Sequence, residues 1–265
     1  MKHHELAVDM AVRRYSRAEG ACAVVLIGSV ARGDERPDSD VDLYLVVTEN
    51  SYPDYVSSGR LAFVDGASDI YDGAYFDVKV ITVDQLRLAA QAADDPMRAS
   101  FQGARRLWAV EESVGTDVDE LVAAIVTPVE ERWTRHEAAF IAQARLHAFY
   151  FLDQGEKLDN QLLRSHAAVH FAFSVGRALL ARGRVLFAGP KYLEKQLEAL
   201  AGSPPDIVAR LRAVVTTPTA RAALDLLVDV ETGYSWPLAA EQTTARFIED
   251  NELAWLTGVT PPEYR

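Results

Sequence analysis

The segment Gly28-Ser29-Val30-Ala31-Arg32-Gly33 is followed, after five intervening residues, by Ser39-Asp40-Val41-Asp42, and apolar, β-branched runs flank it on both sides. A glycine-bearing loop between two such runs predicts a strand, a turn, a short helix and a second strand. Residues i and i+2 of a strand project from the same face, so Asp40 and Asp42 are expected side by side. Two adjacent carboxylates repel each other unless a cation or a proton lies between them. The segment therefore predicts a metal site next to a loop.

The loop itself has residue types that suit phosphate binding. Gly28 lets the backbone approach a ligand closely, and Ser29 offers a hydroxyl and an N–H group to phosphate oxygens. Arg32 and Ser39 flank the loop and are candidates for the β- and γ-phosphates. Taken singly, each residue also has an ordinary explanation as a turn glycine, a helix cap or a solvated side chain. The ordered set favours a triphosphate site.

Transfer of a phosphoryl or nucleotidyl group requires neutralisation of charge at the transferring phosphate, which two metal ions about 4 Å apart can supply. A third carboxylate is then needed beside Asp40 and Asp42. Asp77 is the best candidate, because it lies in the middle of a predicted strand, where aspartate is otherwise disfavoured. Asp69 and Asp72 are alternatives, although their turn-like context explains them without a function.

The pattern of apolar residues divides the chain into an α/β half at residues 1–115 and an all-helical half at residues 116–265. The predicted strands are residues 21–27, 41–48 and 75–82, and residues 94–108 are ambiguous between short helix and loop. Asp84 is predicted to cap the helix that follows the third strand, and Gly155 to end a helix opened by Pro128. The predicted helices are residues 4–18, 54–63, 84–93, 119–126, 128–153, 159–181, 190–200, 206–215, 219–231 and 239–255.

Composition excludes several classes of protein. A formal net charge of −12 argues against a long nucleic-acid partner, because phosphate backbones attract basic surfaces. The acidity serves solubility, or it attracts a cationic small-molecule acceptor. No apolar run reaches the length of a membrane span and the N-terminus lacks a secretory signal pattern, so no membrane association is predicted. The single cysteine, Cys22, cannot form an internal disulfide, and we expect the cytoplasm as compartment.

Polar residues of the helical half are less informative. His166 and His170 have the i, i+4 spacing that suits metal binding, but apolar neighbours favour a role in a core or an interface. The charged helix that contains Glu130, Glu131, His136 and Glu137 offers candidates for a general base, although charged helix faces are usually exposed to solvent.

Several of these motifs together resemble the signature of the DNA polymerase β-type nucleotidyltransferase superfamily. The resemblance consists of Gly28-Ser29, ten intervening residues, Asp40-Val41-Asp42, and later Phe76-Asp77-Val78-Lys79-Val80, and it covers about residues 20–85. It implies a small mixed β-sheet with flanking helices, followed here by a helical bundle. It also implies transfer of a nucleoside monophosphate from ATP or another NTP, with two Mg²⁺ ions as cofactors. By the same resemblance, the triphosphate lies at Gly28 and Ser29, and the ions lie at Asp40, Asp42 and Asp77.

The two-part layout is similar to aminoglycoside and lincosamide nucleotidyltransferases. That likeness implies transfer of AMP to a hydroxyl of a small molecule such as an antibiotic, with release of pyrophosphate. The segment at residues 187–192 resembles one in related bacterial proteins, which implies that Lys191 reaches the triphosphate; a surface lysine is the alternative. Some similar enzymes complete their site across two subunits, so a homodimer is compatible with the resemblance. The alternative functions are an antitoxin-like or regulatory nucleotidyltransferase that modifies or binds a protein partner, and a nucleotide-binding module that has lost catalysis.

Overall fold

The computed structural model describes residues 1–67, 70–71 and 74–262, and the chain divides into two compact units, Met1–Pro128 and Val129–Arg265. The predicted boundary after residue 115 falls inside the helix Glu112–Val126, which packs against other elements of the first unit. The alternative carboxylates Asp69 and Asp72 lie outside the described residues. The two units are described separately below.

The first unit is a five-stranded mixed sheet with helices on both faces, as far as its residues are described. Its strands are β1 (Ala21–Ile27), β2 (Val41–Val47), β3 (Ala62–Gly66), β4 (Tyr75–Thr82) and β5 (Arg105–Ala109). Its helices are α1 (Lys2–Tyr15), α2 (Gly28–Arg32), α3 (Tyr52–Ser57), α4 (Val83–Ala92), α5 (Asp95–Ser100) and α6 (Glu112–Val126).

The strand order is β3-β4-β2-β1-β5, in which β2 and β4 are parallel and the other neighbours are antiparallel. Residues of β1 and β2 are almost continuously apolar because helices cover both faces of these central strands. One face packs against α1 through a core that contains Leu43 and Phe76. The other face packs against α4 and α6 through a core that contains Tyr44 and Ile81. The mixed sheet with flanking helices confirms the predicted fold class.

The three predicted strands are present, whereas two others were missed. The predicted helix at residues 54–63 is wrong in its second half, because α3 ends at Ser57 and β3 begins at Ala62. Pairing with the edge of β4 stabilises β3, and β5 pairs in the same way with the outer edge of β1. Strand pairing of this kind depends on tertiary contacts, so it leaves only a weak pattern in the local sequence. The N-cap residue of α4 is Thr82 rather than Asp84. The Thr82 hydroxyl accepts the backbone N–H of Gln85, and the side-chain oxygen of Gln85 accepts the backbone N–H of Thr82, which forms a capping box.

The second unit is helical throughout its regular elements. Its α-helices are α7 (Glu130–Leu146), α8 (Leu152–Lys157), α9 (Gln161–Arg182), α10 (Leu193–Ala199), α11 (Ile207–Thr216), α12 (Ala220–Thr232), α13 (Thr243–Phe247) and α14 (Ala254–Thr257). It also contains the π-helical turns His147–Phe151 and Ile248–Glu252 and the 3₁₀ turns Pro190–Tyr192 and Ala240–Gln242. Helices α7 and α9 pack together along most of their lengths and form the centre of one apolar core.

Gly155 was predicted to end a helix, but it lies inside α8. A Cβ atom at this position would lie 2.7 Å from Cγ and 3.1 Å from the backbone nitrogen of Arg164. The glycine therefore permits the close approach of α8 to α9. Among the described residues, no helix combines the length and the apolar character needed to cross a bilayer.

Candidate metal centre

Three carboxylates meet where β2 and β4 begin. In the parallel register of these strands, Asp42 lies opposite Asp77, so both side chains leave the sheet on the same face. Asp40 precedes Asp42 by two residues and joins them. Each of the three side chains is half-buried, and one carboxylate oxygen of each lies within 4.8 Å of the other two. The predicted set Asp40, Asp42 and Asp77 is thus brought together.

The donors of this cluster fit a magnesium ion. Mg²⁺ prefers oxygen ligands about 2.1 Å away, and two oxygens on one ion lie up to about 4 Å apart. Small rotations of the carboxylates close the remaining distance. Three anionic groups converge on one point, and a divalent cation is the natural partner for that concentration of charge.

The electrostatics of Asp42 favours a cation at the cluster. The pKa of Asp42 is raised to about 6, chiefly by burial and in addition by the neighbouring charges of Asp40 and Asp77. Lys79 and Arg32 lower the pKa without offsetting these effects. The charged form of Asp42 is therefore disfavoured in the metal-free fold. A bound cation would remove this penalty and hold the carboxylate in its charged, ligating form.

Replacing Asp42 by asparagine is expected to stabilise the protein when divalent ions are absent. At pH 7.5 in EDTA, we expect the free energy of unfolding to rise by about 1–2 kcal/mol, less than the full pKa shift implies because the side chain is only half-buried. The folded pKa lies above the ordinary value of 3.8. The substitution removes the free-energy cost of holding Asp42 in its charged form in the folded protein. This cost is therefore absent at pH values below about 4, grows between about pH 4 and 6, and is complete above that range.

Urea denaturation in EDTA measures this difference, with Asp38→Asn as the matched control, because the Asp38 side chain is 74% exposed. The control is expected to match the wild type at each pH. Adding Mg²⁺ should stabilise the wild type more than the Asp42→Asn variant. A variant less stable than the wild type at pH 7.5 in EDTA would contradict our account of the cluster.

Gly28, the first residue of α2, touches the metal centre directly. Its φ is +74°, and a Cβ atom there would lie only 2.0 Å from Oδ2 of Asp42. Any other residue would strain the backbone and displace the carboxylate. Ser29 follows in α2 and is half-buried. The structure thus places the predicted pair Gly28-Ser29 beside the acidic cluster.

Gly28→Ala is expected to cost at least tenfold in Mg²⁺ affinity, because the new methyl group pushes Asp42 out of the cluster. Gly33 offers a matched control: it has nearly the same φ of +75°, but a Cβ atom there meets nothing within 4 Å. Both substitutions impose left-handed strain of about 1–2 kcal/mol, and only the first moves a ligand. Mg²⁺ titrations followed by thermal unfolding compare the two. Equal Mg²⁺ affinities would show that the contact with Asp42 is unimportant.

The remaining predicted phosphate ligands lie around the same loop. Arg32 ends α2, is ion-paired with Asp34 at 3.3 Å, and is near enough to Asp42 to lower its pKa. Ser39 is buried, and its hydroxyl accepts the N–H of Arg36 at 2.9 Å. This bond gives Ser39 a role in shaping the loop. Contact of either side chain with a phosphate stays a prediction.

The N-terminal helix holds the loop that leads into Asp40. The ring of His4 is 1% exposed, and its Nε2 donates to the carbonyl oxygen of Ser39 at 3.1 Å. The hydroxyl of Tyr71 donates to the same carbonyl at 2.7 Å. His3 donates to the carbonyl of Pro37 at 3.1 Å. The backbone just before the first carboxylate is therefore fixed from two directions.

Sequence reasoning missed two residues of the centre. A hydrogen bond with Asp40 raises the pKa of Tyr75, so this tyrosine orients the first carboxylate. Lys79 lies two residues beyond Asp77 on the same strand face and attracts Asp42. The alternation Tyr75, Asp77, Lys79 along one strand was visible in the sequence and is the signal that could have identified both.

The second unit holds the other predicted residues. Lys191 is exposed in the turn Pro190–Tyr192, with Nζ 5.3 Å from the centre of the Tyr192 ring. Its contact with the triphosphate stays a prediction. Glu137, a candidate base, is buried and ion-paired with Arg184 at 2.6 Å and with Arg182 at 3.3 Å. Both of its carboxylate oxygens are thus engaged by guanidinium groups of the same unit.

Residues 12–93 match the family model described as the nucleotidyltransferase domain, which includes the segment on which the resemblance rests. The first unit therefore contains a nucleotidyltransferase domain of the DNA polymerase β-type superfamily. Among solved structures, a nucleotidyltransferase-like protein from Exiguobacterium sibiricum is similar over 96% of this chain and 79% of that chain, with 11% sequence identity and a TM-score of 0.46. No curated protein matches the chain.

Proposed function

We propose that this protein is a Mg²⁺-dependent adenylyltransferase that moves AMP from ATP to a hydroxyl group of a small molecule and releases pyrophosphate. The observation that carries the proposal is the convergence of three carboxylates within 4.8 Å in a nucleotidyltransferase domain. Bound Mg²⁺, as two ions, would neutralise the triphosphate and favour loss of the proton from the acceptor hydroxyl.

The residues of the centre then have separate tasks. Asp40 and Asp42, side by side, would hold the ions, and Asp77 would complete the ligand set and take the proton of the attacking hydroxyl. A bond forms between the acceptor oxygen and the α-phosphorus, and the bond from that phosphorus to the bridging oxygen of pyrophosphate breaks. Ser29 and Arg32 stabilise the charge that moves onto the leaving pyrophosphate.

The acceptor is proposed to bind through the helical unit, which corresponds to the substrate-binding half of the antibiotic-modifying enzymes that the layout resembles. An acidic protein with a net charge of −12 attracts cations, so polyamine antibiotics of the aminoglycoside type are the first acceptors to test. A cytoplasmic location would give such an enzyme access to ATP.

The experiment measures Mg²⁺-dependent pyrophosphate release from each of the four NTPs, with aminoglycosides, lincosamides and hydroxylated metabolites as acceptors. A thermal-shift screen with the same compounds selects the acceptors to assay, because ligands that bind only the folded state raise its melting temperature. The proposal expects acceptor-dependent release that is greatest with ATP. A preference for another NTP would correct the nucleotide and leave the reaction standing.

Two other outcomes would replace the proposal. Transfer of labelled AMP from ATP to a co-purifying protein, without any small-molecule acceptor, would identify the regulatory, antitoxin-like alternative. ATP binding in calorimetry without pyrophosphate release from any pair of substrates would identify a binding module. The intact set of three carboxylates argues against the second outcome.

A further inference from the structure

A cavity of about 320 Å³ opens in the first unit, and the proposed transfer reaction does not use it. It lies between the C-terminal end of α1 with the turn after it, α3 and the residues that follow it, and β3. Its volume is at the lower end of the range of small-molecule sites, about 300–1,000 Å³. A ligand of the size of one amino acid fits this space better than a nucleotide does.

The cavity and the metal centre lie on opposite faces of the sheet. Side chains alternate along a strand, so Asp42 shares its face with Tyr44, whereas Leu45, which lines the cavity, belongs to the core under α1. On β4, Phe76 packs into that same core, and the adjacent Asp77 leaves the sheet on the other face. A ligand in the cavity would therefore not compete with a triphosphate at the carboxylates.

The inner wall of the cavity is apolar and aromatic. Leu45 is 1% exposed and Tyr15 is 3% exposed, and both belong to the core of the α1 face. Phe63 lies edge-on to Tyr15, with the ring centres 6.2 Å apart. The Tyr15 hydroxyl donates to Oδ2 of Asp65 at 2.8 Å, so its donor is already occupied. This wall favours an apolar, aromatic group of a ligand.

The rim of the cavity has charges of both signs. In the part of the chain that the structure describes, no ion pair or side-chain hydrogen bond engages the carboxylates of Glu19 and Asp54. Arg60 has no ion pair there either, and its guanidinium lies over Phe63, with Cζ 4.5 Å from the ring centre. Burial raises the pKa of Tyr55, Arg60 lowers it and Glu19 raises it, so these opposite charges lie near one ring. The rim therefore offers two anionic groups and one cationic group to a ligand.

We propose that this cavity binds a free α-amino acid with an aromatic side chain. The carboxylate of the ligand pairs with Arg60, and its ammonium group pairs with Glu19 and Asp54. The aromatic side chain packs on the wall formed by Tyr15 and Leu45. Only a zwitterion meets rim groups of both signs, because an amine pairs with the carboxylates alone and an organic acid pairs with the arginine alone.

The test titrates L-phenylalanine into the full chain by calorimetry at pH 7.5 in EDTA, without nucleotide. Phenethylamine lacks the carboxylate and 3-phenylpropionate lacks the ammonium group, so these compounds are matched control ligands. We expect one L-phenylalanine per chain, and binding of either control that is weaker by about tenfold or more. No binding of L-phenylalanine at millimolar concentrations would overturn the proposal, and so would a control that binds as tightly.

Substitutions on the rim and the wall test the location. Arg60→Gln removes one charge from an exposed side chain and is expected to weaken binding by about tenfold. Arg17 is also exposed but does not line the cavity, so Arg17→Gln is the matched control and should bind as the wild type does. Ala18→Leu fills part of the cavity without a change of charge and is expected to abolish binding. Unchanged affinity in the Arg60→Gln protein would refute the site; if Ala18→Leu does not fold, Arg60→Gln decides alone.

A third variant separates this site from the metal centre. Asp42→Asn changes a carboxylate on the other face of the sheet, so the variant is expected to bind L-phenylalanine as tightly as the wild type does. Loss of binding in this variant would place the amino acid at the metal centre and overturn the proposal. None of these titrations involves metal or nucleotide transfer, so this proposal and the proposed function can fail separately.

Discussion

Replacing Asp42 by alanine is expected to slow Mg²⁺-dependent pyrophosphate release by about a thousandfold or more, which corresponds to roughly 4 kcal/mol in the barrier. Asp42 follows Asp40 by two residues in the sequence and lies opposite Asp77 in the sheet. Its removal leaves two carboxylates to hold two ions. The charge that Mg²⁺ would neutralise on the triphosphate then remains without a counter-charge in the transition state.

The matched control is Asp38→Ala, which removes a carboxylate from the same loop without touching the cluster. Its side chain is 74% exposed, and its partner Arg36 is equally exposed, so activity and stability are expected to stay within about twofold of the wild type. Rates are compared at saturating ATP and Mg²⁺ on the acceptor that the screen identifies. Thermal unfolding of the Asp42→Ala protein confirms that it is folded. Equal rates for Asp42→Ala and wild type would end the proposal of a carboxylate-held metal centre.

The acidic centre could be predicted because its signals are local. Alternation in a strand places Asp40 and Asp42 on one face, and an aspartate in the middle of a β-branched strand singles out Asp77. The sequence could not supply the pairing of β2 with β4. These strands are parallel neighbours, although β3 comes between them in the chain. The resemblance to a known superfamily, rather than periodicity, supported the idea that the carboxylates meet.

The missed elements share one physical cause. Both β3 and β5 are edge strands of five residues, and their stability comes from the strand beside them. Residues 62–66 alternate between exposed and half-buried positions, a weak pattern over so short a length. Gly28 illustrates the opposite case. The sequence predicted a close backbone approach at this residue, and the approach is to the carboxylate of Asp42.

The helical unit was predicted well in its elements and poorly in its contacts. Periodicity finds amphipathic helices, but it does not show which helices meet or which polar side chains they bury. Arg145 is an example. It lies on α7 among apolar residues and is 8% exposed, and its four hydrogen-bond partners are 86 to 98 residues away in the chain. No local pattern predicts such a residue.

Arg145→Ala is expected to lower the free energy of unfolding of the protein by about 3 kcal/mol. The guanidinium donates to Glu231 at the end of α12, to the carbonyls of Leu238 and Ala239 at 3.0 and 3.3 Å, and to Thr243 of α13 at 3.2 Å. Truncation leaves buried acceptors without a donor, and that loss exceeds the net value of the bonds themselves.

The control for Arg145 is Arg221→Ala on α12. Arg221 also forms an ion pair, with Asp225 at 2.8 Å, but its side chain is 86% exposed. Exposed pairs of this kind contribute about 0.5 kcal/mol or less, because water and salt screen them. Urea denaturation of the full chain, followed by circular dichroism, compares the two variants with the wild type. Similar losses in both would mean that the buried network around Arg145 is no more valuable than a surface ion pair, and that apolar contacts alone hold α7, α12 and α13 together.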